Sequence, residues 1–104
     1  MKQSLEQYLN LLNRIDEAAR QLGLTGLSES DRAVAVVIWS HRDRQNNHCH
    51  MSFDEFSHLA EQRELRISRA QYFKSLKQLE THNVIRRVNG ERSAHYRFIL
   101  EHPE

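Results

Sequence analysis

ISRAQYFKSLKQLETHNVIRRVNG, residues 67–90, is the stretch on which the fold of this chain turns. Ser68 followed three positions later by Gln71 is a capping-box pattern: the serine hydroxyl accepts from the third helical amide, and the third side chain reaches back. Tyr72, Phe73, Leu76 and Leu79 then recur at helical spacing and predict the inward face of a helix over 69–82. Tyr72 and Phe73 are read as core side chains, not as platforms for stacking bases. Asn83 stands where a helix is stopped by a residue that accepts a left-handed backbone. Residues 84–88 read as a strand. Asn89-Gly90, within NGERSA, is a strong hairpin signal that turns the chain into a second strand over 95–100.

Upstream, Ser52 opens a second capping box with Glu55, and Phe53, Phe56, Leu59 and Ala60 form one apolar face of a helix ending near Gln62 or Arg63. Leu65 and Ile67 punctuate the short turn between the two helices. Residues 42–51, RDRQNNHCHM, are polar and unpatterned and are read as a loop. Before it, Ser28 or Ser30 caps a helix over 31–41, with Glu29 and Asp31 in its first turn. Val34, Val36, Val37 and Ile38 are β-branched and would suit a strand. The caps and the length favour a helix, one apolar enough to be buried on every side.

At the N-terminus, Leu5, Tyr8, Leu9, Leu12, Ile15, Ala19 and Leu22 follow helical spacing over 3–22, and Gly23 sits where a terminating glycine belongs. Such a helix is about 30 Å long. Its stripe must be covered, and a helix appended to a small domain commonly covers it with a second copy, so a homodimer through residues 3–22 is expected. The expected organisation is therefore an N-terminal helix and dimerisation element over 1–27, a domain over 28–100, and a tail over 101–104.

Composition excludes several classes. The chain has 104 residues, enough for one small domain. Its longest apolar run, residues 33–39, is far short of the roughly 20 needed to cross a bilayer, so no membrane is expected. The N-terminus has no apolar signal-peptide core. A single cysteine, Cys49, excludes a disulfide framework within the chain, and a reducing, cytoplasmic setting is the expectation. There is no GxSxG, P-loop or HExxH, and Asp54-Glu55 is accounted for by capping, so neither an enzyme nor a cofactor is expected. His41, His48, Cys49, His50 and His58 lie close in sequence, but no CxxC or HxxxH pair accompanies them, and a metal site is set aside.

Charge is the informative quantity. Residues 1–62 hold six Lys/Arg against nine Asp/Glu, whereas residues 63–97 hold nine Lys/Arg against three Glu. A chain of net charge +1 thus carries a basic C-terminal third, the footprint expected of a partner rich in phosphate.

Two tightly joined helices followed by a basic hairpin suggest a winged helix-turn-helix. The segment ISRAQYFKSLKQLETHNVIRR, residues 67–87, resembles the recognition-helix region of the MarR-like winged-helix regulators. It is similar also to the N-terminal winged-helix domains of phage replication proteins. Leu76, Leu79, Glu80, Val84 and Ile85 match those families' pattern, with Asn83 in place of the usual glycine. The resemblance covers about residues 28–100 and implies a mainly α fold with a small β-hairpin (α+β), preceded by an extra helix. Two departures stand out: the chain ends directly after the wing, where MarR proteins usually carry further dimerisation helices, and the 42–51 loop is longer than their tight link.

Carried over by position, Arg69, Ala70, Gln71, Lys74, Lys77 and Gln78 face the major groove of double-stranded DNA, and Arg66 and Ser68 stand at the start of the helix. Gln71 suits adenine and Arg69 guanine, while Lys74 and Lys77 suit phosphates. Arg86, Arg87, Arg92 and Arg97 belong to the wing, which is expected on the flanking backbone. The resemblance implies sequence-specific DNA binding and transcriptional regulation. A winged-helix adaptor that binds protein without DNA, and a plasmid or phage replication or maintenance protein, are the alternatives; the basic segment favours DNA over the adaptor.

Overall fold

The computed structural model describes residues 2–90 and 93–100, with side chains from residue 4 onward. In chain order the elements are α1 (Lys2–Leu22), α2 (Glu29–Ser40), β1 (His48–His50), α3 (Phe53–Gln62), α4 (Arg69–Thr81), β2 (Ile85–Arg87) and β3 (His95–Phe98). Among the described residues the architecture is mixed α/β: four helices and one antiparallel three-stranded sheet in the order β1-β3-β2. Arg92 and the expected tail over 101–104 lie outside the described residues.

Serines start three of the helices. Ser28 and Ser52 cap α2 and α3 with complete boxes, closed by Asp31 and Glu55. Ser68 caps α4 by accepting from the Gln71 N–H at 3.1 Å, but the expected box there is only half formed. The Gln71 side chain turns the other way and donates to the Ser75 hydroxyl at 2.9 Å. Ser75 is fully buried between α4 and α2, and its need for a partner outweighs the exposed backbone amide of Ser68.

The helix ends obey one rule. After α1, α3 and α4 a residue one or two positions past the helix, Gly23, Glu64 or Asn83, takes positive φ, and paired backbone bonds close the last turn. Gly23 and Asn83 adopt that backbone readily. Glu64, at φ 59°, has a Cβ that clashes there and stands in it without glycine's freedom.

The segment expected to be an unpatterned loop contains β1, and the expected hairpin is therefore the larger part of a three-stranded sheet. Cys49 and Met51 alternate inward between His48, Ser52 and the exposed His50. Three residues are too few for period-two alternation to stand out among polar neighbours, and only pairing with β3 stabilises them. The other two strands are shorter than the expected 84–88 and 95–100, and beyond β2 Asn89 and Gly90 both take positive φ.

The core lies between α2, α3, α4 and one face of the sheet: Val34, Val37, Ile38, Phe56, Tyr72, Leu76, Leu79, Ile85 and Tyr96 are almost wholly withdrawn from water. Phe73, expected in the core, is instead partly exposed, because the helix turns it away from Tyr72, Leu76 and Leu79. Nor is α2 covered on every side: Val36 is half exposed beside a groove lined by Leu22, Trp39 and Leu100. Asp31 is also buried. Burial pushes its carboxyl up, but the Ser28 N–H, the Ser75 and Ser28 hydroxyls and the charge of His82 together hold it below its ordinary value. The chain Ser28–Asp31–Ser75–Gln71 thus ties the start of α2 to α4.

α1 stands apart. Leu5, Tyr8, Leu9, Leu11, Leu12, Ile15 and Leu22 each keep 43–61% of their surface in water, and α1 is absent from the substantial element–element packing.

Candidate nucleic-acid interface

The basic side chains of the C-terminal third fall on separate surfaces. Along α4 the buried side is Tyr72, Ser75, Leu76 and Leu79. At roughly 100° per residue, the opposite side is Ala70, Lys74, Lys77 and Thr81, and all four are exposed. Of the expected groove-facing set, the fold holds Ala70, Lys74 and Lys77 together on this strip, and Thr81 joins them from outside that set. Arg66 and Ser68 are exposed just before it. Gln71 and Gln78 occupy the flank towards α2, both half-buried. The expectation that Gln71 reads a base with both amide atoms is corrected by its bond to Ser75.

Arg69 is drawn to the other flank. Its guanidinium carbon lies 5.5 Å from the Phe53 ring centroid and 5.3 Å from that of Phe73, so the cation rests against aromatic faces at the starts of α3 and α4. It is exposed, but it does not point with Lys74. This corrects its placement among the outward residues. The Phe73 side of α4 borders a cleft of about 490 Å3 whose lining includes Phe53, Arg69, Phe73, Arg87 and Ser93.

The two adjacent arginines of β2 separate as strand alternation requires. Arg87 turns towards α4 and its Nε donates to Glu80 at 2.8 Å, with its side chain largely covered. It therefore fastens the sheet to α4 and is not the free phosphate-binding residue expected in the wing. Arg86 points to the other face of the sheet, where it is paired across the strands with Arg97. Arg92 lies outside the described residues.

The histidine-rich stretch is also sorted by the fold. His41 bonds back to the Val37 carbonyl at 3.0 Å and His58 lies beside Gln62 on α3. Cys49 faces the core, where burial and then the nearby Glu55 carboxylate push its thiol up to about 11, too high for a reactive thiolate at neutral pH. His48 and His50 face outward and are joined by His95 from β3. His48 Nδ1 is 2.7 Å from His95 Nε2, and the His50 ring stacks on His95 at 3.8 Å between centroids. Sequence proximity could not have found this group, because His95 is brought in across the sheet; reading HCHM as a strand would have placed His48 and His50 on one face. Among the described residues no group of three or more His, Cys, Asp or Glu is arranged to hold a metal ion. Nor is any described helix long and apolar enough to cross a membrane.

No protein-family model matches the chain, and no curated protein or solved structure shows significant similarity to it.

Proposed function

We propose that the chain binds double-stranded DNA by laying the outward strip of α4 in the major groove, as a winged helix-turn-helix acting in transcriptional regulation. The observation that carries this reading is the uncovered strip Ala70, Lys74, Lys77 and Thr81, with Arg66 and the capping Ser68 exposed at its start. A helix presented in this way fits the width of the major groove, and two ammonium groups on it neutralise phosphates along the groove wall. Further support comes from the bracing: α3 precedes α4 by a short turn, and the Arg87–Glu80 pair anchors the β2–β3 hairpin beside it. Small residues at Ala70 and Thr81 leave room for close approach to the bases.

A second copy of the chain completes the reading. Covering the seven exposed apolar side chains of α1 would remove on the order of 700 Å2 per protomer, close to the roughly 800 Å2 per partner of a standard interface. A twofold pair of such domains reads half-sites about one helical turn apart.

The test is a double charge reversal, Lys74→Glu with Lys77→Glu, measured by fluorescence anisotropy on random duplex DNA over a salt series. The expected result is a loss of affinity at low salt and a log–log salt slope reduced in magnitude by about two. Unchanged affinity and slope, with the circular dichroism of the native protein retained, would remove α4 from the interface.

A further inference from the structure

The outer face of the sheet holds three imidazoles that the α4 reading leaves unused. Strand alternation turns Cys49 and Tyr96 to the core and leaves His48, His50 and His95 on the other side. His50 stands directly opposite His95 in the register, with His48 two positions back along β1. His48 and His95 are half-buried, His50 is exposed, and His48 Nδ1 and His95 Nε2 meet at 2.7 Å.

The backbone holds this pair in place from both sides. The His48 N–H donates to the Asn46 side-chain oxygen at 2.9 Å, and the His48 carbonyl accepts from the Asp43 N–H at 2.7 Å. The His95 N–H donates to the Ser93 hydroxyl at 3.0 Å, and the His95 carbonyl accepts from the Val88 N–H at 2.8 Å. The stacked His50 ring limits rotation of the His95 ring. The two nitrogens are therefore brought together by the sheet and not by a flexible loop.

Ring nitrogens this close share one proton between two lone pairs. A divalent transition ion can take the place of that proton. Zinc–nitrogen bonds in a tetrahedral site set their two nitrogens roughly 3.3 Å apart, so the rings need to open by roughly 0.6 Å from their 2.7 Å contact. The donating ring moves its proton to its other nitrogen, both rings then present a lone pair, and no proton is released when both are neutral. Desolvation and then the charges of His50 and His48 hold His95 below its ordinary value, which favours the neutral form that ligates a metal. The surroundings select the kind of ion. Among the described residues no third His, Cys, Asp or Glu converges on the pair, and the exposed Arg97 stands opposite His48. A hard ion such as Mg2+ or Ca2+ finds no carboxylate there and meets a neighbouring positive charge, whereas Zn2+ and Cu2+ bond well to neutral imidazole.

We propose that His48 and His95 form an open two-histidine site for a borderline divalent transition ion, with its remaining positions left to water. The ion ties β1 to β3, and a three-residue strand held by pairing alone gains a cross-link. Because the two ligands are adjacent only in the folded chain, binding stabilises the fold by mass action.

The full-length protein, freed of metal by a chelator, is titrated with ZnCl2 at pH 7.5 by calorimetry, with the histidine ring signals followed by NMR and the melting temperature recorded with and without the ion. One Zn2+ per chain is expected, with the His48 and His95 signals moving most and the melting temperature rising. His48→Gln and His95→Gln are each expected to weaken binding at least about tenfold, no less than the loss of an outer-shell partner costs, and to remove the rise. His58→Gln, on α3, is expected to leave both unchanged. MgCl2 is expected to give no rise. The proposal is overturned if the native chain takes up no Zn2+, if its His48 and His95 signals stay still while other histidine signals move, if both glutamine variants keep native affinity, or if MgCl2 raises the melting temperature equally. The NMR readout needs no substitution, so the site is tested even where a variant fails to fold.

Discussion

α1 and α2 are both rich in large apolar side chains, and the fold treats them oppositely. In α2, Val34, Val37 and Ile38 are wholly withdrawn from water against α3, α4 and the sheet. In α1, Leu5, Leu9 and Ile15 stay more than half exposed. The difference does not lie in helix formation, since both segments are continuous α-helices. It lies in what is available to cover them. A helix flanked by elements of its own domain is stabilised by each side chain it buries, at about 25 cal/mol per Å2. A helix without substantial packing on the other elements gains that free energy only from another surface.

Removing an apolar group from each helix in turn is the strongest way to break this contrast. Ile38→Ala is expected to lower the unfolding free energy of the domain by about 2–5 kcal/mol, read from urea denaturation. Ile15→Ala, measured at concentrations where the protein is monomeric, is expected to change it by less than about 0.5 kcal/mol. Equal losses would mean that α1 packs on its own domain. Deleting residues 1–22 sharpens the same point: sedimentation is expected to give a monomer, with a melting temperature that no longer rises with concentration. A dimer that persists would place the interface elsewhere.

The ends of the helices provide a finer comparison. Ser28→Ala opens the α2 box and is expected to cost the domain about 1 kcal/mol. Gly23→Ala, at φ 71° with open space around its Cβ, is expected to cost a similar amount within α1, visible as a loss of helicity without a shift in domain unfolding. The smallest effect is acid dependence. The Asp31 carboxyl is held below its ordinary value in the folded chain, so its contribution is complete above about pH 4 and fades as the pH falls through the lowered value. Asp31→Asn is expected to flatten the stability profile in that range; an unchanged profile would show that the Ser28 and Ser75 contacts do not favour the charged form.

Local signals were legible wherever the relevant partners lay within a few residues. Ser28, Ser52 and Ser68 mark helix starts, Gly23 and Asn83 mark ends, and Asn89-Gly90 marks a turn, because each acts on backbone groups one turn away. The same locality explains the misreadings. Gln71 has two partners to choose from, Ser68 behind it and Ser75 ahead, and a buried hydroxyl decides between them. β1 is invisible as three residues in a polar stretch and exists by pairing with a strand 47 positions away.

The candidate surfaces divide along the same line. Spacing alone put Lys74 and Lys77 on one side of a helix and predicted a stripe on α1 in need of cover, since helical periodicity is a property of the backbone. Which cations share a surface was settled by packing. The fold turns Arg87 inward to Glu80, lays Arg69 on Phe53 and Phe73, and brings Arg86, Arg97, His48, His50 and His95 onto one sheet face. Those placements depend on strand register and on how α4 seats against its neighbours. Both arise from contacts between residues far apart in the chain, whose free energy no local pattern records.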